Sequence, residues 1–161
     1  MKKKKIFLWL SGSIVAFVAL VMITNATGKE RFIPTVSAKS MTIYKSPTCG
    51  CCANYVLYMK RAGYDVRVVD TENMAKKKNE YGIPPNMESC HTTVIENGEY
   101  IVEGHIPTEG IEALLADDSD VRTIALPDMP VGSPGMPGKK REAFSIYAID
   151  AQGSIVEYMQ L

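Results

Sequence analysis

An α/β domain built around one sheet is predicted by three features of this chain. Short β-type runs alternate with helical periodicity through its first half, an Asn-Gly turn joins two apolar runs near its middle, and a second pair of alternating runs closes it. The length of 161 residues suits a single domain with a modest core once an N-terminal segment is set aside.

The first strand is expected at Met41 to Tyr44, broken by Ser46-Pro47-Thr48, which supply cap residues for a helix beginning around Cys51. Cys52, Val56, Leu57 and Met59 fall on helical spacing, and Gly63 closes that helix. Tyr64 to Asp70 alternates as a second strand, completing a βαβ unit. A short basic helix over residues 73–81 ends at Gly82 and Pro84-Pro85. Thr92 to Ile95 and Tyr100 to Glu103 flank Glu96-Asn97-Gly98-Glu99 as a hairpin, and Pro107 to Ala116 is a further helix with Ile111, Leu114 and Leu115 on one face. The resulting order, β-α-β-α-β-β-α, is that of the thioredoxin-like fold, in which a cysteine pair follows the first strand and a loop before the third strand closes over the sulfurs. Residues 126–138, with four prolines, three glycines and two methionines, form a rigid irregular Pro/Gly/Met loop. Phe144 to Ile149 and Ser154 to Tyr158 form a C-terminal β-hairpin.

Ahead of this domain, Lys2 to Lys5 and the nearly unbroken apolar run Ile6 to Ile23 read as a signal peptide or an N-terminal membrane anchor over residues 1–25. About 18 apolar residues are long for the first and just enough for the second. Thr24-Asn25-Ala26 and Val36-Ser37-Ala38 are the candidate cleavage patterns. Residues 26–40 lack periodicity and read as a linker, leaving 41–161 as the exported domain, either soluble or tethered to the inner membrane by residues 6–24. Charge is distributed unevenly: residues 1–40 hold 7 of 18 Lys and Arg and 1 of 18 Asp and Glu, so 41–161 carry 11 positive and 17 negative charges. An acidic body of net −6 argues against a nucleic-acid partner, and the membrane is met only through the N-terminal segment.

The chemistry lies in four cysteines. Cys49, Cys51 and Cys52 fill three of four consecutive positions, and Cys90 follows about forty residues later with His91 beside it. In an exported domain four cysteines ordinarily make two disulfides, but bridges within so short a cluster distort the backbone. At most Cys49 with Cys52, or one pairing with Cys90, is comfortable. Cys49 and Cys52 also have C-x-x-C spacing at a helix start, where amides and the helix dipole favour thiolate, so a thiol–disulfide oxidoreductase is the rival reading. A third sulfur inside that loop would reshuffle its disulfide.

Metal binding uses all four sulfurs. Soft thiolates select Cu(I), Zn(II) or iron–sulfur. Four thiolates leave one Zn(II) at −2, whereas several Cu(I) ions sharing bridging sulfurs neutralise the set. The packing therefore favours a polynuclear copper site over zinc. Met129 and Met136 sit in the Pro/Gly loop away from any apolar face and offer thioethers, with core filling as their alternative; Met87 is a weaker candidate. His91 is a candidate ligand, outer-sphere donor or proton carrier. His105 is a candidate with a surface or capping role as its alternative. Asp70, Glu72, Glu103 and Asp117-Asp118 read as solvated charges.

Five blocks in order carry a resemblance. They are Tyr44 to Cys52 (YKSPTCGCC), Gly82-Ile83-Pro84-Pro85, Ser89-Cys90-His91-Thr92, Val102 to Pro107 (VEGHIP), and Met129 to Met136 (MPVGSPGM). Over about residues 41–161 the chain resembles the CopG-like family of exported bacterial copper-binding proteins with a thioredoxin-like fold. The resemblance implies a polynuclear copper site serving copper resistance in the periplasm or at the outer membrane face, with Cu(I)/Cu(II) interconversion and other envelope copper-handling proteins as partners. Carried over by position, its metal ligands are Cys49, Cys51, Cys52 and Cys90, with His91, His105, Met129 and Met136 as secondary metal or outer-sphere candidates. Two readings compete with it. One is the oxidoreductase using Cys49 and Cys52, for which the segment Glu88 to Thr92 lacks the proline that enzymes of that fold carry there. The other is a structural zinc or iron–sulfur module, which explains neither the methionine loop nor the close cysteine packing.

Overall fold

The computed structural model describes residues 39–161. The segment expected to be signal or anchor, 1–25, and nearly all of the linker lie outside the described residues. Among the described residues no helix is long and apolar enough to cross a membrane.

A seven-stranded sheet has the order β2-β1-β3-β4-β5-β6-β7. The strands are β1 (Ser40–Lys45), β2 (Asp65–Asp70), β3 (His91–Ile95), β4 (Tyr100–Glu103), β5 (Thr123–Ala125), β6 (Ser145–Ile149) and β7 (Ile155–Gln160), with helices α1 (Gly50–Arg61), α2 (Met74–Glu80) and α3 (Thr108–Ala116). β1 pairs parallel with β2 and antiparallel with β3. β4 pairs antiparallel with β3 and parallel with β5, and β6 and β7 continue antiparallel. The expected elements are present within a residue or two of their bounds. β5 is additional: three residues, Thr-Ile-Ala, are too few to show alternation, and they become a strand because β4 and β6 pair with both of their edges.

Alternation along the strands feeds two apolar layers. Met41, Ile43, Ile95, Val102, Ile124 and Ile146 join Tyr55, Val56 and Met59 of α1 and Ile111 and Leu114 of α3. On the other face Val94, Ile101, Ala125 and Ile149 meet Ile83 and Met87. Met87 is thus core filling rather than a site residue. β3, covered on both faces and flanked by β1 and β4, is buried at all five positions.

Two details of α1 differ from expectation. Its buried stripe is Cys52, Tyr55, Val56 and Met59, an i, i+3, i+4, i+7 series, while Leu57 is half exposed. The helix begins one residue early, at Gly50, and Cys49 itself is the N-cap, its Sγ accepting from Cys52 N–H at 3.3 Å. Ser46 and Thr48 instead bond each other at 3.2 Å. The expected basic helix is α2, seven residues from Met74 to Glu80, capped by Asn73 Oδ1 accepting from Lys76 N–H at 2.9 Å.

Candidate metal centre

Strand register builds the site. Lys45 pairs with His91, Thr92 with Glu103, and Glu103 with Ala125, so one end of the sheet carries the exit of β1, the entry of β3 and the exits of β4 and β5. The C-x-C-C turn leaves β1 here, Ser89-Cys90 leads into β3, Gly104-His105 leaves β4, and the Pro/Gly/Met loop leaves β5.

These four segments bring sulfur and nitrogen together. Cys49 and Cys52 form a disulfide, the pairing compatible with their spacing, and Cys51 and Cys90 are free thiols. Cys51 Sγ lies 3.4 Å from Cys49 Sγ and 3.7 Å from Cys90 Sγ. Cys90 Sγ is in turn 2.9 Å from His105 Nε2 and 2.9 Å from Met129 Sδ. The expected meeting of the last cysteine with the first three is therefore present in the fold. The ligand atoms of Cys49, Cys51, Cys52 and Cys90 lie within 4.8 Å of one another, as do those of Cys52, Cys90, His91 and His105. Cys52 and Cys90 belong to both sets, so an outer thiol-rich group and an inner group of mixed sulfur and nitrogen share an edge.

The histidines are both fully buried, which excludes the surface role for His105. His105 Nδ1 stands 2.6 Å from Pro134 O. A carbonyl only accepts, so Nδ1 carries the proton and the Nε2 lone pair of the neutral ring faces Cys90. His91 packs between Tyr55, at 4.4 Å between ring centroids, and His105, at 4.7 Å. Neither of its ring nitrogens has a hydrogen-bond partner, a costly state for a buried imidazole that a bound cation would relieve. Burial, then the neighbouring His105 and Lys78 charges, hold its pKa well below the usual 6.5. Burial likewise lowers His105, partly opposed by its bond to Pro134 O. Both rings are thus neutral at physiological pH, as ligation requires. Burial, with the hydrogen bond and charge of Cys51, pushes the Cys90 thiol up to about 12.

The methionines separate. Met129 Sδ reaches Cys90 with its side chain partly exposed, at the mouth of the site. Met136 is half-buried in the same loop, its N–H donating to Ser133 O at 2.9 Å, and is not hydrogen-bonded to either free thiol. The loop is pressed onto α1 at Gly135, where an added Cβ would lie 2.7 Å from both Cys51 O and Tyr55 N.

One of the acids read as solvated is not. Glu103 is fully buried and ion-paired to the equally enclosed Lys78 of α2. Asp70 does remain exposed, held by Lys45 at 2.7 Å. Glu103 follows three strand residues in the middle of the sheet, and that central position is the signal that places it inside. Lys78 carried no such signal, since only tertiary packing distinguishes it from Lys76 and Lys77.

The family model described as DUF411, a protein of unknown function, matches residues 87–136, which hold Cys90, both histidines and both loop methionines. No curated protein matches. Two solved structures of the copper resistance protein CopG are similar. Form 2 has a TM-score of 0.71 and 30% identity over 77% of this chain and 98% of its own. Form 1 has a TM-score of 0.69 and 31% identity over 76% and 96%. With that identity spread over nearly the whole length of both structures, the chain belongs to the CopG-like family.

Proposed function

We propose that this protein is a copper-binding protein of the cell envelope, holding Cu(I) on the thiolates of Cys49, Cys51, Cys52 and Cys90 for copper homeostasis and resistance. One observation carries the reading: Cys51 Sγ, His105 Nε2 and Met129 Sδ, from three separate chain segments, all stand 2.9 to 3.7 Å from Cys90 Sγ, on a fourth. Thiolate, imidazole and thioether together are a soft donor set suited to Cu(I). With the disulfide reduced, four thiolates share one small volume, and bridging sulfurs allow more than one Cu(I). His91 and His105 serve the inner group, and Met129 the mouth, with Met136 as a lesser candidate. Similarity to the copper resistance protein CopG supports a role in copper resistance here. The domain, 41–161, is of thioredoxin-like type, supported by the parallel β1-α1-β2 unit, the antiparallel β3-β4 pair and the cysteines at the start of α1. The N-terminal segment exports it, as a cleaved signal or as a tether. Cu(I)/Cu(II) interconversion fits the balance of the site: oxidising two Cu(I) to two Cu(II) releases the two electrons that reduce one disulfide to two thiolates.

The Cys49–Cys52 disulfide at the start of α1 favours one other reading, a thiol–disulfide oxidoreductase. Insulin reduction and Cu(I) titration of wild type and Cys51→Ser separate the two. The copper reading expects no turnover and a loss of Cu(I) capacity in the variant. Insulin reduction that Cys51→Ser leaves intact, with no Cu(I) uptake, overturns it.

A further inference from the structure

The segment Ser89 to Thr92 delivers Cys90 and His91 to the site, and both of its ends are tied to a single buried carboxylate. Ser89 N–H donates to Glu103 Oε1 at 2.7 Å, and Thr92 Oγ1 donates to Glu103 Oε2 at 2.6 Å. Lys78 Nζ completes the arrangement, donating to Ser89 O at 2.8 Å and pairing with Glu103 Oε1. Glu103 is 0% and Lys78 4% exposed, so neither charge is there for solubility. A buried ion pair is poor value as a device for stability, because its desolvation offsets much of its attraction. What this pair has that apolar residues lack is three directed bonds onto the two residues bracketing Cys90 and His91.

We propose that Lys78 and Glu103 are positioning residues for the metal centre, a clamp that fixes where Cys90 and His91 present their ligand atoms. The inference rests on the copper reading above. Its chemistry is that of the partners behind metal ligands, which touch no metal yet hold a ligand's orientation. Their loss typically weakens metal binding by about 10- to 100-fold. The geometry explains why both ends are held. Cys90 Sγ must meet Cys51 across the groove while His91, the next residue, turns its ring inward between Tyr55 and His105. A segment free to rotate at either Ser89 or Thr92 would satisfy one and lose the other.

The test measures Cu(I) affinity by chelator competition in anaerobically reduced protein, beside thermal unfolding of the metal-free form. The variants are Thr92→Val, which removes one bond and keeps the charges, and the double change Lys78→Met with Glu103→Leu. The double variant replaces the pair with apolar groups of similar size, which removes its desolvation cost but leaves Ser89 N–H and Thr92 Oγ1 without their acceptor, so its fall in stability is measured beside its affinity. The clamp predicts that both variants lose Cu(I) affinity by about 10- to 100-fold, more than their own fall in stability, and shift the thiolate-to-copper absorption. Wild-type affinity in both variants overturns the clamp and leaves the copper reading standing, as does a fall in affinity no larger than each variant's fall in stability. A wild-type chain that takes up no Cu(I) overturns the copper reading itself, and the clamp with it.

Discussion

Gly135→Ala is expected to damage the site from the loop side. Gly135 has φ +84°, where an L side chain costs about 1–2 kcal/mol. The added Cβ would also lie 2.7 Å from Cys51 O and Tyr55 N and 3.2 Å from Tyr55 Cα. All three atoms are helix backbone and cannot rotate aside, so the loop must lift. Lifting it stretches Pro134 O away from His105 Nδ1, now at 2.6 Å, and Gly135 O from Asn54 Nδ2, now at 3.5 Å. Weakening two such bonds adds about 1–2 kcal/mol, for a total near 2–4 kcal/mol. Because the same loop carries Met129 to Cys90, and His105 loses the partner that sets its tautomer, Cu(I) affinity should fall at least about tenfold, or 1.4 kcal/mol. Gly153→Ala is the control. It sits in the β6–β7 turn at φ +81° with nothing within 4 Å of the added Cβ, so it pays the backbone strain without the collision. Chelator competition and thermal unfolding of both variants decide the matter. Equal Cu(I) affinities in the two would refute the idea that the loop's seat on α1 shapes the site.

Two further outcomes are expected. Tyr55→Phe removes the donor that bonds Ile106 O at 2.8 Å in the core, and should cost about 1–3 kcal/mol in denaturant unfolding while leaving Cu(I) affinity unchanged, since the ring still packs on His91 and His105. Unchanged stability would show that the bond contributes nothing. The metal-free reduced domain should also weaken in mild acid. His91 and His105 are both held below their usual value of 6.5, so the folded state binds fewer protons than the unfolded chain. Stability is therefore full above about pH 6.5 and falls as the pH drops below it, by at most about 1.4 kcal/mol per pH unit for each histidine. Glu103, raised by burial, acts in the opposite sense, so the informative quantity is the difference between wild type and His91→Leu, whose profile should be flatter. Parallel profiles would contradict a buried neutral His91.

Much of the site was legible in the chain, for identifiable reasons. Cys49, Cys51 and Cys52 stand between a strand and a helix, so their place at the end of β1 follows from local signals. Cys90 immediately precedes β3, which pairs with β1, and antiparallel register then brings it back beside them. Less local features were harder to see. Glu103 and Lys78 look like surface charges because burial here depends on the far side of the sheet and on α2 packing over it. Tyr55 took the stripe position expected of Leu57, since an amphipathic helix with apolar residues on two sides does not by itself say which side faces the sheet. β5 is a strand through its neighbours alone. Cys49 as cap was hidden because sulfur is not among the usual capping side chains.

The most direct test of the account is copper analysis of the anaerobically reduced domain together with X-ray absorption at the copper edge, in wild type and Cys90→Ser. Wild type should carry more than one Cu(I) per chain, with a sulfur-dominated shell and copper–copper scattering, and Cys90→Ser should lose most of the metal. A wild-type domain holding a single zinc and no copper under copper excess would contradict it.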